Sequence, residues 1–383
     1  MPEFDRFAPP HLDDPYPLYA RLREGPPFFA DAFGVWVVTR RADVKAVLSD
    51  PARFSSEFLI RTPMSPAPGV AETLATGHPE VFALLNQDPP EHTRVRALVA
   101  AAFSPRRVRA LTPRVERLAG ELVDAIAADG AADLIRSLAL PLPLLVICEL
   151  IGIPRADAPR VRGWIEQLKV LTSFGASDAE QVAAAHGSVE FERYLAALIA
   201  QRRAHGRDDL LTDVLRGDLT DLEIISLLIT LIFGGHETTT NLIGNALLAA
   251  LARPEGLPDD PDDVIERTLR ADPPVQGTFR RTVADTELGG APIPAGAQLY
   301  AALGAANHDP DGSAEPHLAF GRGIHYCVGA QLARVEARIA LRTLATRLPG
   351  LRAADGFRVS YPANLLHRGP IRLAATWPVP SVH

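Results

Sequence analysis

The chain is poor in the features that define several protein classes. It has two cysteines in 383 residues, too few for a disulfide-stapled scaffold and in keeping with a reducing compartment. Its first residues, Met1-Pro2-Glu3-Phe4-Asp5-Arg6, lack the basic and apolar regions of a secretory leader. No uninterrupted apolar stretch reaches the length of a membrane span. Together these absences predict a cytoplasmic protein with no membrane partner. No Gly/Ser-rich linker, composition break or internal repeat divides the sequence, so residues 1–383 read as a single domain. A net charge of −7 speaks against nucleic acid as a partner. What the chain has in quantity is apolar residues, 47% of the total, enough for a large core.

Hydrophobic periodicity predicts helices over residues 14–23, 41–49, 105–128, 137–151, 157–171 and 178–204. Strand-like segments fall at 35–39, 298–303, 357–360 and 371–376. Glu24-Gly25-Pro26-Pro27 and residues 62–69 read as loops. The expected class is mainly α with a small β region.

Cys327 lies in Phe320-Gly321-Arg322-Gly323-Ile324-His325-Tyr326-Cys327-Val328-Gly329-Ala330, and an amphipathic helical run starts at once after it. Glycines let the backbone approach a large flat group closely. The positive end of the following helix favours thiolate over thiol. A thiolate presented in this way suits the axial position of a haem iron. A dinucleotide-binding loop fails because Tyr326 stands where the third glycine belongs and no strand precedes it. A zinc site fails for want of a Cys or His at ligand spacing. Cys148, inside Leu145-Val146-Ile147-Cys148-Glu149-Leu150, reads as a small buried hydrophobe.

A second constellation lies in a long helix that opens on the capping box Thr220-Asp221-Leu222-Glu223 and stops before Pro254. Residues 224–233 are apolar on nearly all faces, yet the next turns read Gly234-Gly235-His236-Glu237-Thr238-Thr239-Thr240. Glycine in mid-helix costs about 1 kcal/mol, and such a local failure of propensity is expected at functional sites. The segment is either a polar patch relieving a kink or an acid–alcohol pair. The two-histidine metalloprotease pattern fails, because position 240 is threonine. A third group, His92 and Arg96, stands four residues apart on one helical face after Asp88-Pro89-Pro90-Glu91. Such a pair could hold two carboxylates, or could be part of a solvated face.

The Cys327 segment resembles the cysteine-ligand loop of the cytochrome P-450 family, Phe-Gly-x-Gly-x-His-x-Cys-x-Gly, with Phe320, Gly321, Gly323, His325, Cys327 and Gly329 filling every fixed position. Gly234 through Thr239 is similar to that family's oxygen-activating motif, and the likeness runs from about residue 12 to the C-terminus. The resemblance implies the P-450 fold, a triangular helical prism enclosing haem b (iron protoporphyrin IX), with Cys327 as the metal ligand. It implies that His92, Arg96, Arg280 and His325 bind the haem propionates. It implies that Thr238 and Glu237 pass protons to dioxygen. Wall residues are expected within 171–174, 231–235, 275–279 and 365–366, represented by Phe174, Leu231, Gly234, Gly235, Val275, Phe279 and Leu365, with residues 56–85 as a lid. That lining suits a mainly apolar substrate.

The sequence also departs from the family pattern. With Arg270 aligned to the Arg of the family's Glu-x-x-Arg, Arg267 stands where the acid belongs and Glu266 is one residue early. The loop before Phe320, Asp311-Gly312-Ser313-Ala314-Glu315-Pro316, is short and lacks the arginine that completes the usual brace. Arg270 is expected to pair instead with Glu266, Asp309 or Asp311, with backbone carbonyls completing its donors.

The implied activity is insertion of one oxygen atom from O2 into a small organic substrate, free, peptide or carrier-bound, in natural-product biosynthesis. Electrons would come from a separate ferredoxin or flavodoxin. Arg106, Arg107, Arg109, Arg334, Arg338 and Arg342 are candidates for its basic docking face. Oxidative coupling of phenols, indoles or peptides on the same haem is the alternative, and product mass separates the two. A peroxygenase and a non-catalytic haem-binding partner protein are further readings; the Glu237-Thr238 pair speaks against the first and Cys327 against the second.

Overall fold

A computed structural model describes residues 4–57, 67–77, 83–171 and 176–379. Among them the α-helices are α1 (Tyr16–Arg23), α2 (Arg41–Ser49), α3 (Val70–Leu74), α4 (Glu91–Ala100), α5 (Pro105–Asp124), α6 (Pro141–Ile151), α7 (Ala158–Leu171), α8 (Asp178–Ala204), α9 (Leu210–Val214), α10 (Asp221–Leu251), α11 (Asp262–Ala271), α12 (Leu303–Asn307) and α13 (Ala330–Arg347). The strands are β1 (Phe28–Ala30), β2 (Val35–Val38), β3 (Phe54–Ser55), β4 (Ala131–Asp133), β5 (Thr278–Thr282), β6 (Thr286–Leu288), β7 (Ala291–Ile293), β8 (Gln298–Ala301), β9 (Arg352–Ala353) and β10 (Ala374–Thr376).

The chain forms two compact units. The first comprises Met1–Ser56, Val108–Pro143 and Glu237–His383, the second Glu57–Arg107 and Leu144–His236. All the described strands belong to the first unit. Its main sheet has the order β1-β2-β8-β5-β3. β2 runs parallel to β8 with Val37 opposite Tyr300, and the other pairings are antiparallel. Helix α2 lays Val44, Val47 and Leu48 against Phe54, Leu299, Ala301 and Leu318, all nearly or fully buried. A second cluster gathers Tyr19, Val37, Tyr300 and Leu365. In the second unit α7 packs along α8, where the Trp164 and Phe191 rings stack 5.1 Å apart. The capping box Ser177/Glu180 starts α8: Glu180 N donates to Ser177 Oγ at 3.3 Å and Ser177 N to Glu180 Oε2 at 2.9 Å.

Most expected elements appear, and α2 and α8 have the expected bounds. The expected helix over 137–151 is instead a π-helical turn, Ile135–Ala139, followed by α6. Residues 357–360 form no strand; their place beside β10 is taken by β9. The 31-residue α10 is long and apolar enough to cross a membrane, alone among the described helices, and 67% of its apolar 18-residue window is buried.

Candidate functional site

The turn around Cys327 is shaped by two left-handed glycines, Gly321 at φ +71° and Gly323 at φ +72°. A side chain at Gly323 is doubly excluded, since its Cβ would lie 2.4 Å from Leu48 O. Backbone bonds close the turn: Gly321 N donates to Leu318 O at 2.8 Å, Tyr326 N to Gly323 O at 3.1 Å and Cys327 N to Phe320 O at 2.9 Å. Helix α13 begins three residues on, with Gly329 as its N-cap. The Cys327 thiol is exposed, whereas Cys148 is buried. Burial, with Asp157 nearby, pushes the Cys148 thiol up to about 12. One cysteine is accessible and the other is part of the core.

Charged groups from α11 and α13 bracket this turn. The Arg334 guanidinium lies 4.5 Å over the Phe320 ring. It forks onto Glu266 through Nε–Oε1 at 2.5 Å and Nη2–Oε2 at 3.2 Å, and His317 Nε2 lies 3.2 Å from Glu266 Oε2. Burial opposes ionisation of Glu266, but Arg334 and His317 outweigh it and hold the carboxyl below its ordinary value. Burial, with Arg334 and Arg270 nearby, holds His317 below its ordinary value despite Glu266. One turn away, Arg338 forks onto Asp262 at 2.5 and 2.7 Å. Arg334 and Arg338 are thus engaged with acids of their own unit, and Arg107 is paired with Asp208 and Asp213. One expectation is corrected: Glu266 does not meet Arg270, because Arg334 and His317 already occupy both its oxygens. Arg270 Nη2 donates instead to the Glu315 carbonyl at 2.5 Å. Asp309 accepts from Arg41 N and Asp311 N. Arg267 pairs with Asp263 on the exposed face of α11.

The candidate anion-binding residues are placed in both units. Arg280 sits on β5, 5% exposed, and its Nη1 donates to Phe279 O at 2.7 Å. His325 Nε2 lies 2.8 Å from Ser56 Oγ. Ser56 directly follows β3, whose Ser55 is the register partner of Arg281. The β3–β5 pairing thus brings the partner of His325 to the strand that carries Arg280. Ser56 was not legible in the sequence, since a lone serine gives no signal. In the second unit His92 is buried and Arg96 half-buried, four residues apart on α4.

Helix α10 continues through its glycines as one helix. Thr220 and Glu223 cap it as expected, with Thr220 N donating to Glu223 Oε2 at 2.8 Å. Gly234, Gly235, Glu237 and Thr238 are half-covered while His236, Thr239 and Thr240 are buried. Spacings of three and four residues put the half-covered set on one helical face. A Cβ at Gly234 would meet no atom within 4 Å, and one at Gly235 would touch Ile147 at 3.5 Å. Space therefore lies at Gly234, while Gly235 packs against Ile147.

Of the proposed wall residues, Leu231 is buried, and Val275 and Phe279 are half-buried. Val275 bridges to His367. Leu365 is 2% exposed, within the Tyr300 cluster, and its carbonyl accepts from Tyr300 Oη at 2.7 Å. It is a core residue in this structure. Phe174 lies outside the described residues, as do 58–66 and 78–82 of the expected lid; α3 falls within the remainder. The donor set of the first unit fits haem: an uncovered thiol for iron, and a buried guanidinium and an imidazole for carboxylates.

No family model matches the chain. Curated relatives do. The chain is 38% identical to "Cytochrome P450 107B1" of Saccharopolyspora erythraea over 414 residues, covering 98% of this chain and 99% of the relative. It is 38% identical to "Nocardicin C N-oxygenase" of Nocardia uniformis, covering 97% and 98%. Among solved structures, "cytochrome P450 CREJ in complex with (4-ethylphenyl) dihydrogen phosphate" superposes with a TM-score of 0.91 at 32% identity, covering 96% of this chain and 98% of the other.

Proposed function

Since the chain belongs to the cytochrome P450 monooxygenase family, we propose that it oxygenates a small, mainly apolar natural product in the cytoplasm, and that residues 1–383 serve as a single haem b-binding domain. Bound haem supplies the activation of O2. Cys327 holds the iron as thiolate, with Phe320, Gly321 and Gly329 shaping the turn around it. His92, Arg96, Arg280 and His325 donate to the propionates. Thr238 Oγ1 positions a proton and the Glu237 carboxyl replenishes it through water. Leu231, Gly234, Gly235, Val275, Phe279 and, in the segment 172–175, Phe174 line the substrate side. The name of the nocardicin relative supports a natural-product substrate. A separate ferredoxin or flavodoxin supplies electrons one at a time.

The observation that carries this reading is the exposed Cys327 thiol in a glycine-shaped turn at the head of α13. Wild-type protein, reduced under carbon monoxide, is expected to show the red-shifted Soret band of thiolate ligation, and Cys327→Ser to lack it. Retention of that band in the serine variant would falsify the ligand assignment. Product mass then separates oxygen insertion, a gain of one oxygen, from oxidative coupling, a loss of two hydrogens.

A further inference from the structure

The short loop before Phe320 lacks an arginine of its own, and among the described residues no carboxylate pairs with Arg270. Another group holds that loop. Arg41, the first residue of α2, is 3% exposed, and its guanidinium is spent on this segment. Nε and Nη2 donate to Glu315 Oε2 at 3.4 Å, Nη2 to Pro316 O at 2.5 Å and Nη1 to Ala306 O at 3.3 Å. The Arg41 backbone N–H donates to Asp309 Oδ2 at 2.8 Å, a favourable carboxylate at a helix start. Gly312 lies flat on the arginine stem: a Cβ there would fall 1.8 Å from Arg41 Cδ. The loop is wrapped around one side chain. Lys45, one turn along α2, adds a bond to Glu315 Oε2 at 2.8 Å, and Arg270 takes the Glu315 carbonyl from the other side.

The far end of α2 reaches the cysteine turn. Gly323 packs against Leu48 O, and Arg322 Nε donates to Ser49 Oγ at 3.2 Å. A nine-residue helix is about 13 Å long, so a single rigid element fixes the loop at one end and the turn at the other. A buried guanidinium is stable only when its donors are met, which makes this arrangement specific rather than incidental.

We propose that Arg41, paired with Glu315, is a positioning residue for the cysteine turn and replaces the acid–arginine brace that Arg267 and the short loop have lost. This rests on the reading of Cys327 as the haem ligand. Arg41 is not among the residues proposed to hold haem or substrate, and its partners all lie in residues 306–316. It acts through residues 306–316 and through α2 on the turn that sets the sulfur.

The test uses full-length, haem-loaded protein. Two readouts are followed: the rate at which the reduced carbon monoxide complex loses its thiolate Soret band, and the rate of haem transfer to apomyoglobin. Removing an outer partner of a metal ligand typically costs about 10- to 100-fold, and Arg41→Ala is expected to speed both losses within that range. Arg41→Lys keeps the charge but not the fork, and should fall between Arg41→Ala and wild type. Glu315→Gln should speed the losses less than Arg41→Ala, and the double variant should be no worse than Arg41→Ala alone. Arg267→Ala, on the exposed face of α11, should match wild type. Wild-type rates in Arg41→Ala, or full additivity with Glu315→Gln, overturn the proposal. If Arg41→Ala does not fold, wild-type rates in both Arg41→Lys and Glu315→Gln overturn it. Cys327→Ser separates the two readings: if it retains the thiolate band the ligand assignment fails, and if it loses the band while the Arg41 series is unchanged only the brace fails.

Discussion

The turn that carries Cys327 and the turn of α10 that carries Glu237 and Thr238 are held in different ways. The cysteine turn is irregular, needs two glycines in the left-handed region, and is propped from outside by α2, α11 and α13. The α10 turn lies within one continuous helix, where backbone geometry comes from the helix's own hydrogen-bond ladder. Precision at the first place comes from long-range braces, and at the second from regular secondary structure. Perturbations should therefore act differently: backbone changes should damage the cysteine turn, and side-chain changes should damage the α10 site without loosening it.

Thr238→Ala should break chemistry alone. Product formed per NADH consumed is expected to fall toward the roughly 100-fold loss typical of a missing proton-transfer group, with electrons diverted to peroxide. Haem content and substrate-induced spectral shifts should stay at wild-type values. Normal product yield per NADH would remove Thr238 from the proton path. Gly323→Ala should do the reverse and loosen the fold at the cysteine turn. The left-handed backbone costs an alanine about 1–3 kcal/mol, and the Leu48 carbonyl 2.4 Å from its Cβ adds to that. Urea unfolding of the haem-loaded protein reads the loss, and an unchanged midpoint would mean that the turn relaxes freely.

Glu336 offers a subtler probe on the cysteine side. It is buried on α13, and burial raises its carboxyl well above the ordinary value. Above the ordinary carboxyl value the folded protein holds a proton that the unfolded chain releases. Stability from this group is thus full at low pH and falls as pH rises, by up to about 1.4 kcal/mol per pH unit. Glu336→Gln does not titrate and should flatten that slope in urea midpoints taken across pH; an unaltered slope would place the Glu336 proton elsewhere. The smallest effect is expected from Gly234→Ala. In open mid-helix space an alanine should stabilise the haem-free chain by about 0.5–1 kcal/mol while weakening haem or substrate binding. Melting of the haem-free protein together with haem titration would show whether the two effects separate.

These differences also explain what could be read in the sequence. Gly321, Gly323 and Cys327 were visible because local geometry demands particular residue types at fixed spacing. The start of α10 was visible because Thr220 and Glu223 cap it within four residues. Arg41 gave no signal, since its partners lie 265 to 275 residues away and one arginine after another resembles a surface pair. The partner of Arg270 was misplaced for a related reason. Spacing along α11 brings Glu266 to a usable face, but α13, remote in sequence, competes for the same carboxylate with a better-shaped donor. Residues 357–360 had strand composition, but the edge beside β10 was already taken by β9.

The parallel pairing of β2 with β8 sets an order of events during synthesis. Val37 cannot meet Tyr300 until β8 has left the ribosome, and Arg41, only four residues further on, cannot be enclosed before Pro316 follows. Contacts of such sequence separation form late. The N-terminal hairpin and α2 must wait with an uncovered edge and an unclasped guanidinium while more than 250 residues are added. On this account the turn that carries Cys327 gains its braces only after residues 306–323 have been added to the chain.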